Sequence, residues 1–136
     1  MMNLKRLISV LVLLTWILGV YAQQQRFMIK VVDNQNQIAM VENATSSSSS
    51  SCNSSDFPVY HDGSRSDVNL RDLNRIVVHP DRSTKNDEIY VVVELIGRNG
   101  ESSMTEMIRN IRFMGNTGDG RFSRKIEDIQ TVDVIF

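Results

Sequence analysis

The run Glu88-Ile89-Tyr90-Val91-Val92-Val93-Glu94-Leu95-Ile96 limits the folds open to this chain more than any other stretch. It is dense in β-branched side chains, which are stiff in a helix and pack well on a pleated surface. Apolar residues fall on both of its faces through Val91–Val93, as they do in a strand covered on two sides. The run is therefore expected in the interior of a sheet, not at its margin.

Neighbouring segments supply the rest of that sheet. Asn99-Gly100 follows the run directly and is a strong two-residue hairpin signal. Phe27, Ile29 and Val31 alternate through Arg26–Val32, Asp33–Asn36 is turn-forming, and Gln37–Glu42 can return, so 26–42 reads as a hairpin. Phe57–Tyr60 is a short strand, expected at an edge because Pro58 cannot donate to a ladder. His61–Ser64 is a turn, Asp67–Leu70 alternates, Asn74–His79 is a strand, and Pro80–Asp87 reads as a polar loop. Gly115–Gly120 is a tight loop before two closing strands, Arg121–Ile126 and Gln130–Phe136, the last of them also a candidate edge.

Residues 101–114 carry two signals. The Asn-Gly hairpin predicts a strand, placed at 107–113. Yet Met104, Met107, Ile108 and Ile111 fall at helical spacing, and Ser103–Glu106 fits a capping box. The expected fold is all-β, a small antiparallel sandwich or partly open barrel, with room for one short helical turn near 103–109.

One pattern occurs twice. Leu70-Arg-Asp72-Leu73 with Ile76 and Val78 is matched by Ile126-Glu-Asp128-Ile129 with Val132 and Val134. Each follows a Gly-containing turn, and each reads as a strand, a corner at Asp, and a second strand. Asp72 and Asp128 are expected as structural residues at those corners, where a short acidic side chain can bond nearby main chain.

The chain begins as an exported protein would. Lys5 and Arg6 precede an almost wholly apolar run from Leu7 to Val20, and Val20-Tyr21-Ala22 suits signal peptidase. The apolar run falls short of the roughly 20 residues of a spanning helix, so no stable membrane span is expected once residues 1–22 are removed. The expected divisions are the signal peptide 1–22, an N-terminal hairpin segment 23–42, a Ser-rich linker 43–56 and a main β domain 57–136. The expected location is secreted or periplasmic. Cleavage leaves 13 basic against 16 acidic residues, a formal charge of −3. A weakly acidic chain without a Lys/Arg block is not expected to bind nucleic acid.

Cys52 is the single cysteine, so no internal disulfide can form. It lies in a Ser tract that offers neither the rigidity nor the neighbouring base of a catalytic thiol. Asn43-Ala44-Thr45 and Asn53-Ser54-Ser55 match the N-glycosylation pattern, which has meaning only in a eukaryotic secretory pathway.

Little else carries chemistry. His61-Asp62 and His79-Pro80-Asp81 could supply metal ligands if their turns met, which makes His61, Asp62, His79 and Asp81 weak candidates for a metal site. Gly115–Gly120 lacks the Lys and helix of a phosphate loop. No Gly-x-Ser-x-Gly elbow is present. No catalytic residue and no cofactor is expected. The expectation is an exported, non-catalytic β module that works by protein binding or structural support, through strand addition at an exposed edge. The alternatives are a small metal-dependent hydrolase using His61 and His79, or a secreted inhibitor or ligand-binding protein contacting through 97–120.

Overall fold

A computed structural model describes residues 27–47 and 55–136. Residues 1–22, expected as a signal peptide, and Cys52 and Asn53 lie outside the described residues. The elements in chain order are β1 (Met28–Asp33), β2 (Ile38–Ser46), β3 (Asp56–His61), β4 (Ser64–Asn69), a 3-10 turn at Leu70–Asp72, β5 (Leu73–Lys85), β6 (Glu88–Gly97), β7 (Ser102–Ile108), β8 (Arg112–Thr117), β9 (Gly120–Lys125), a second 3-10 turn at Ile126–Asp128, and β10 (Ile129–Ile135). The fold is all-β, as the sequence predicts. It is one curled antiparallel sheet forming a half-barrel, in the order β4-β3-β7-β6-β5-β10-β1-β2-β8-β9.

That order is symmetric about its centre. Exchanging β1–β5 with β6–β10, element for element, reproduces the same sheet read from the other end. The repeated sequence pattern is thus the visible part of a duplication that covers every described strand. At the centre, Ile76 of β5 pairs with Val132 of β10, and these are equivalent residues 56 positions apart. Phe57 and Phe113, also 56 apart, meet edge to face with ring centroids at 5.6 Å. In the hairpins β1–β2 and β6–β7 the offset is 64, since Val31 pairs with Ala39 where Leu95 pairs with Ser103.

The two repeats exchange their hairpins. β1 and β2 pair with β10 and β8 of the second repeat, while β6 and β7 pair with β5 and β3 of the first. The long β5–β6 hairpin joins them in sequence as well as in space, and the β10–β1 pair is its counterpart in space. The corners share two main-chain bonds and differ in their caps, since Asn69 Oδ1 accepts from Arg71 N–H at the first and no side chain caps the second. Leu70 N–H donates to the Ser55 carbonyl and Ile126 N–H to that of Ile111; the Asp72 carbonyl accepts from Arg98 N–H and the Asp128 carbonyl from Asn34 N–H. Both Asp side chains are exposed.

The curl closes a single apolar interior. Ile29, Val41, Leu70, Ile76, Val91, Val93, Phe113, Ile126 and Val132 are wholly enclosed. Alternation along each strand puts these residues inward and their neighbours outward. β6 lies between β7 and β5, in the interior of the sheet as expected, but only the face of Val91, Val93 and Leu95 is buried while Val92 on the other is half-buried.

Five local expectations differ from the structure. Residues 102–108 are strand β7 and not a helical turn: β6 pairs with it from Tyr90↔Ile108 to Ile96↔Ser102. Thr105 and Met107 point inward while Met104 is exposed, so a period of two prevails over the helical spacing. The strand expected at 107–113 is divided by a turn at 109–110. Pro80–Asp87 is not a loop, because β5 continues to Lys85 across a bulge between Val78 and Arg82. β2 likewise runs through Asn43–Ser46, which composition assigned to the linker. There Ser46 Oγ donates to the Asp56 carbonyl and Ser55 Oγ to that of Ala44, both at 2.9 Å. Finally, neither β3 nor β10 is an edge. β3 pairs along its length with β4 and only at Tyr60↔Glu106 with β7, which leaves Pro58 clear of the second ladder.

Candidate binding edges and clefts

Among the described residues the outer strands are β4 and β9, each paired on one side only. Each ends a tight hairpin. The β3–β4 turn places Asp62 and Gly63 at φ 49° and 82°, a left-handed pair that Asp tolerates and Gly adopts freely. The β8–β9 turn is closed by Thr117, whose Oγ1 donates to the Gly120 carbonyl and accepts from Asp119 N–H.

As equivalent parts of the structural repeat, these hairpins are alike in register and opposite in charge. β3–β4 carries Asp56, Asp62 and Asp67 against Arg65, a net of −2. β8–β9 carries Arg112, Arg121, Arg124 and Lys125 against Asp119, a net of +3. Arg65 is paired with Asp67 at 3.4 Å, and Asp56 accepts from Asn69 Nδ2 at 2.7 Å. On the basic side, Arg112 stands directly across the ladder from Lys125. Like charges in that position are destabilising.

Two open clefts are also equivalent through the repeat. One, of about 290 Å³, lies between the β1–β2 turn and β9 and is lined by Val31, Asp33, Gln37, Phe122 and Arg124. The other, of about 540 Å³, lies beside the β6–β7 turn and is lined by Val68, Asp72, Leu95, Arg98 and Glu101. Leu95, Glu101 and Val68 occupy the places of Val31, Gln37 and Arg124. In the first, Asp33 Oδ1 accepts from the main-chain N–H groups of Gln35 and Gln37, and its Oδ2 lies 3.9 Å from Arg124 Nε. In the second, Gly97 replaces Asp33, and Asn99 Oδ1 accepts from Glu101 N–H, the group equivalent to that of Gln37. The two clefts keep the turn and change the surface.

The residues singled out from sequence scatter over this frame. His61 Nε2 lies 3.7 Å from Asp62 on the exposed β3–β4 turn, and His79 Nε2 lies 3.6 Å from Glu94. β7 and β6 separate the strands bearing the two histidines, about 14 Å at ordinary strand spacing. Asp81 sits in the β5 bulge, where Arg82 Nη1 donates to the carbonyls of His79, Pro80 and Asp81, each at 3.1 Å. Among the described residues, no three of His, Cys, Asp and Glu gather to hold a metal. Asn43 is exposed at φ 55° in a bulge of β2, while Ala44 of the same glycosylation pattern is buried.

The charge contrast between the edges was missed at the sequence level. Its signal was present, four cations within Arg112–Lys125, but only the symmetric sheet order turns it into a contrast between two ends. Comparison with family models, curated proteins and solved structures finds no match. No helix among the described residues is long and apolar enough to cross a membrane.

Proposed function

We propose that this chain is an exported, non-catalytic β module that binds a protein partner by strand addition at its outer strands. The observation that carries the reading is the pair of sheet ends, β4 and β9, each with a ladder on one side only among the described residues. An outer strand presents a row of main-chain donors and acceptors that an extended segment can complete. Further support comes from the surface chemistry. Ion pairs such as Arg65–Asp67 and Lys85–Glu106 join exposed or half-exposed partners, and the histidines stand apart from one another.

Two experiments test this. The native protein, sequenced from its N-terminus, should begin at Gln23; retention of Met1 would end the export half. A photo-crosslinking side chain placed at Ser66 or Ser123, on the outer strands, should capture a partner in the protein's own compartment. The same group at Ser103, on an inner strand, should not. Equal capture from all three positions would refute strand addition.

A further inference from the structure

We infer that the partner of each outer strand is a second copy of this chain, with β9 of one molecule pairing with β4 of the next. This rests on the strand-addition reading and names its occupant. Three observations lead to it. First, β4 and β9 are equivalent strands of six residues each, so the two edges match in length. Second, the sheet has ten strands, each antiparallel to its neighbours. The outer two therefore run in opposite directions. A second copy in the same orientation then continues the antiparallel alternation without a break.

Third, the charges are complementary. The β3–β4 hairpin carries a net −2 and the β8–β9 hairpin a net +3. Charged side chains on an outer strand ordinarily keep edges of like molecules apart. Here Arg121, Arg124 and Lys125 do so for β9 against β9, while the acidic excess of the β3–β4 hairpin, carried by Asp56 and Asp62 because Arg65 and Asp67 of β4 balance each other, favours β9 against β4. The direct Arg112–Lys125 apposition, unfavourable within one molecule, is relieved when acidic groups of a neighbour approach. Because the joined surfaces differ, the contact is head-to-tail, and it propagates into a chain of molecules or closes into a ring.

The test is sedimentation velocity on the mature chain. Self-association should be present at ~0.01 M salt and weaken about tenfold by ~0.15 M, as the screening length falls from about 30 Å to about 8 Å. The double variant Arg121→Glu with Lys125→Glu turns the basic hairpin acidic and should sediment as a monomer. Asp62→Asn with Asp67→Lys turns the acidic hairpin basic and should do the same; Asn keeps the left-handed backbone at 62. Mixing the two variants should restore assembly, a result that misfolding of either could not give. A monomeric wild type at low salt overturns the inference, as does a mixture that stays monomeric. A parallel titration with an alternating Asp-Val octapeptide, followed by amide shifts, separates the two readings. Binding along β9 without self-association refutes the second copy and leaves strand addition standing. Neither event refutes both.

Discussion

Phe57 and Phe113 show what the duplication demands of single residues. They are equivalent positions, both wholly buried, and they touch each other. Truncating either to Ala should cost about 3–5 kcal/mol, the range for large aromatic residues in cores. The double variant should cost less than the sum, because one cavity replaces two and the edge-to-face contact, worth about 0.5–1.5 kcal/mol, is lost only once. Denaturant midpoints of the three variants check this, and strict additivity would contradict the contact. Gly115 is the opposite case. A Cβ there would strike Val41 Cγ1 and stand 2.5 Å from the Glu42 carbonyl oxygen. Gly115→Ala should destabilise by about 1–3 kcal/mol through overpacking; an unchanged midpoint would mean that β2 yields freely. Asn99-Gly100 was legible from sequence because its backbone requirement is local, and Gly100 does adopt φ 85°. Gly115 was not, because the atoms that exclude its side chain come from a strand some seventy positions earlier.

At the scale of elements, legibility followed the same division between local and distant causes. Hairpins with their own turn chemistry were readable: 26–42, 57–70 and the pair about Asn99-Gly100. Elements that need a neighbour were not. β7 carries a helical pattern in Met104, Met107, Ile108 and Ile111, and becomes a strand because β6 offers it a complete ladder. The stretch Pro80–Asp87 has a loop's composition, yet Arg82 gathers three successive carbonyls and holds the strand together across the bulge. Arg82→Ala should therefore cost about 1–2 kcal/mol and raise amide exchange at Val78 and Arg82 more than at the far end of β5. Uniform protection along β5 would show that the guanidinium is not what closes the bulge. The Ser tract was misjudged at its start for a related reason. Ala44 and Ser46 are buried because hydroxyls of Ser46 and Ser55 bond the main chain across the gap between β2 and β3.

For the whole molecule, sequence gave the fold class and half of the repeat; the hairpin exchange was invisible to it. Nothing in Leu70–Val78 or Ile126–Val134 says that β2 will pair with β8 while β7 pairs with β3. The exchange has a measurable result. Neither repeat can bury its own hairpin, so fragments 27–86 and 87–136 should each lack a cooperative thermal transition. Mixed in equal amounts they should recover the sheet signal in circular dichroism. A fragment that melts cooperatively alone would show that the repeats are independent. The candidate surfaces belong to this scale too, since the opposed edges and the paired clefts exist only once both halves are assembled.

The pairing of Met28 with Ile135 has one more consequence. β10 meets β1 as β5 meets β6, both as antiparallel neighbours near the centre. Linking Phe136 to Phe27, whose rings already lie 6.2 Å apart, and cutting between Asn86 and Asp87 would reproduce the same topology with the halves renamed. Seen this way, residues 27–136 trace a loop of two matching arcs, and the β10–β1 and β5–β6 seams are two equivalent places where such a loop can be opened.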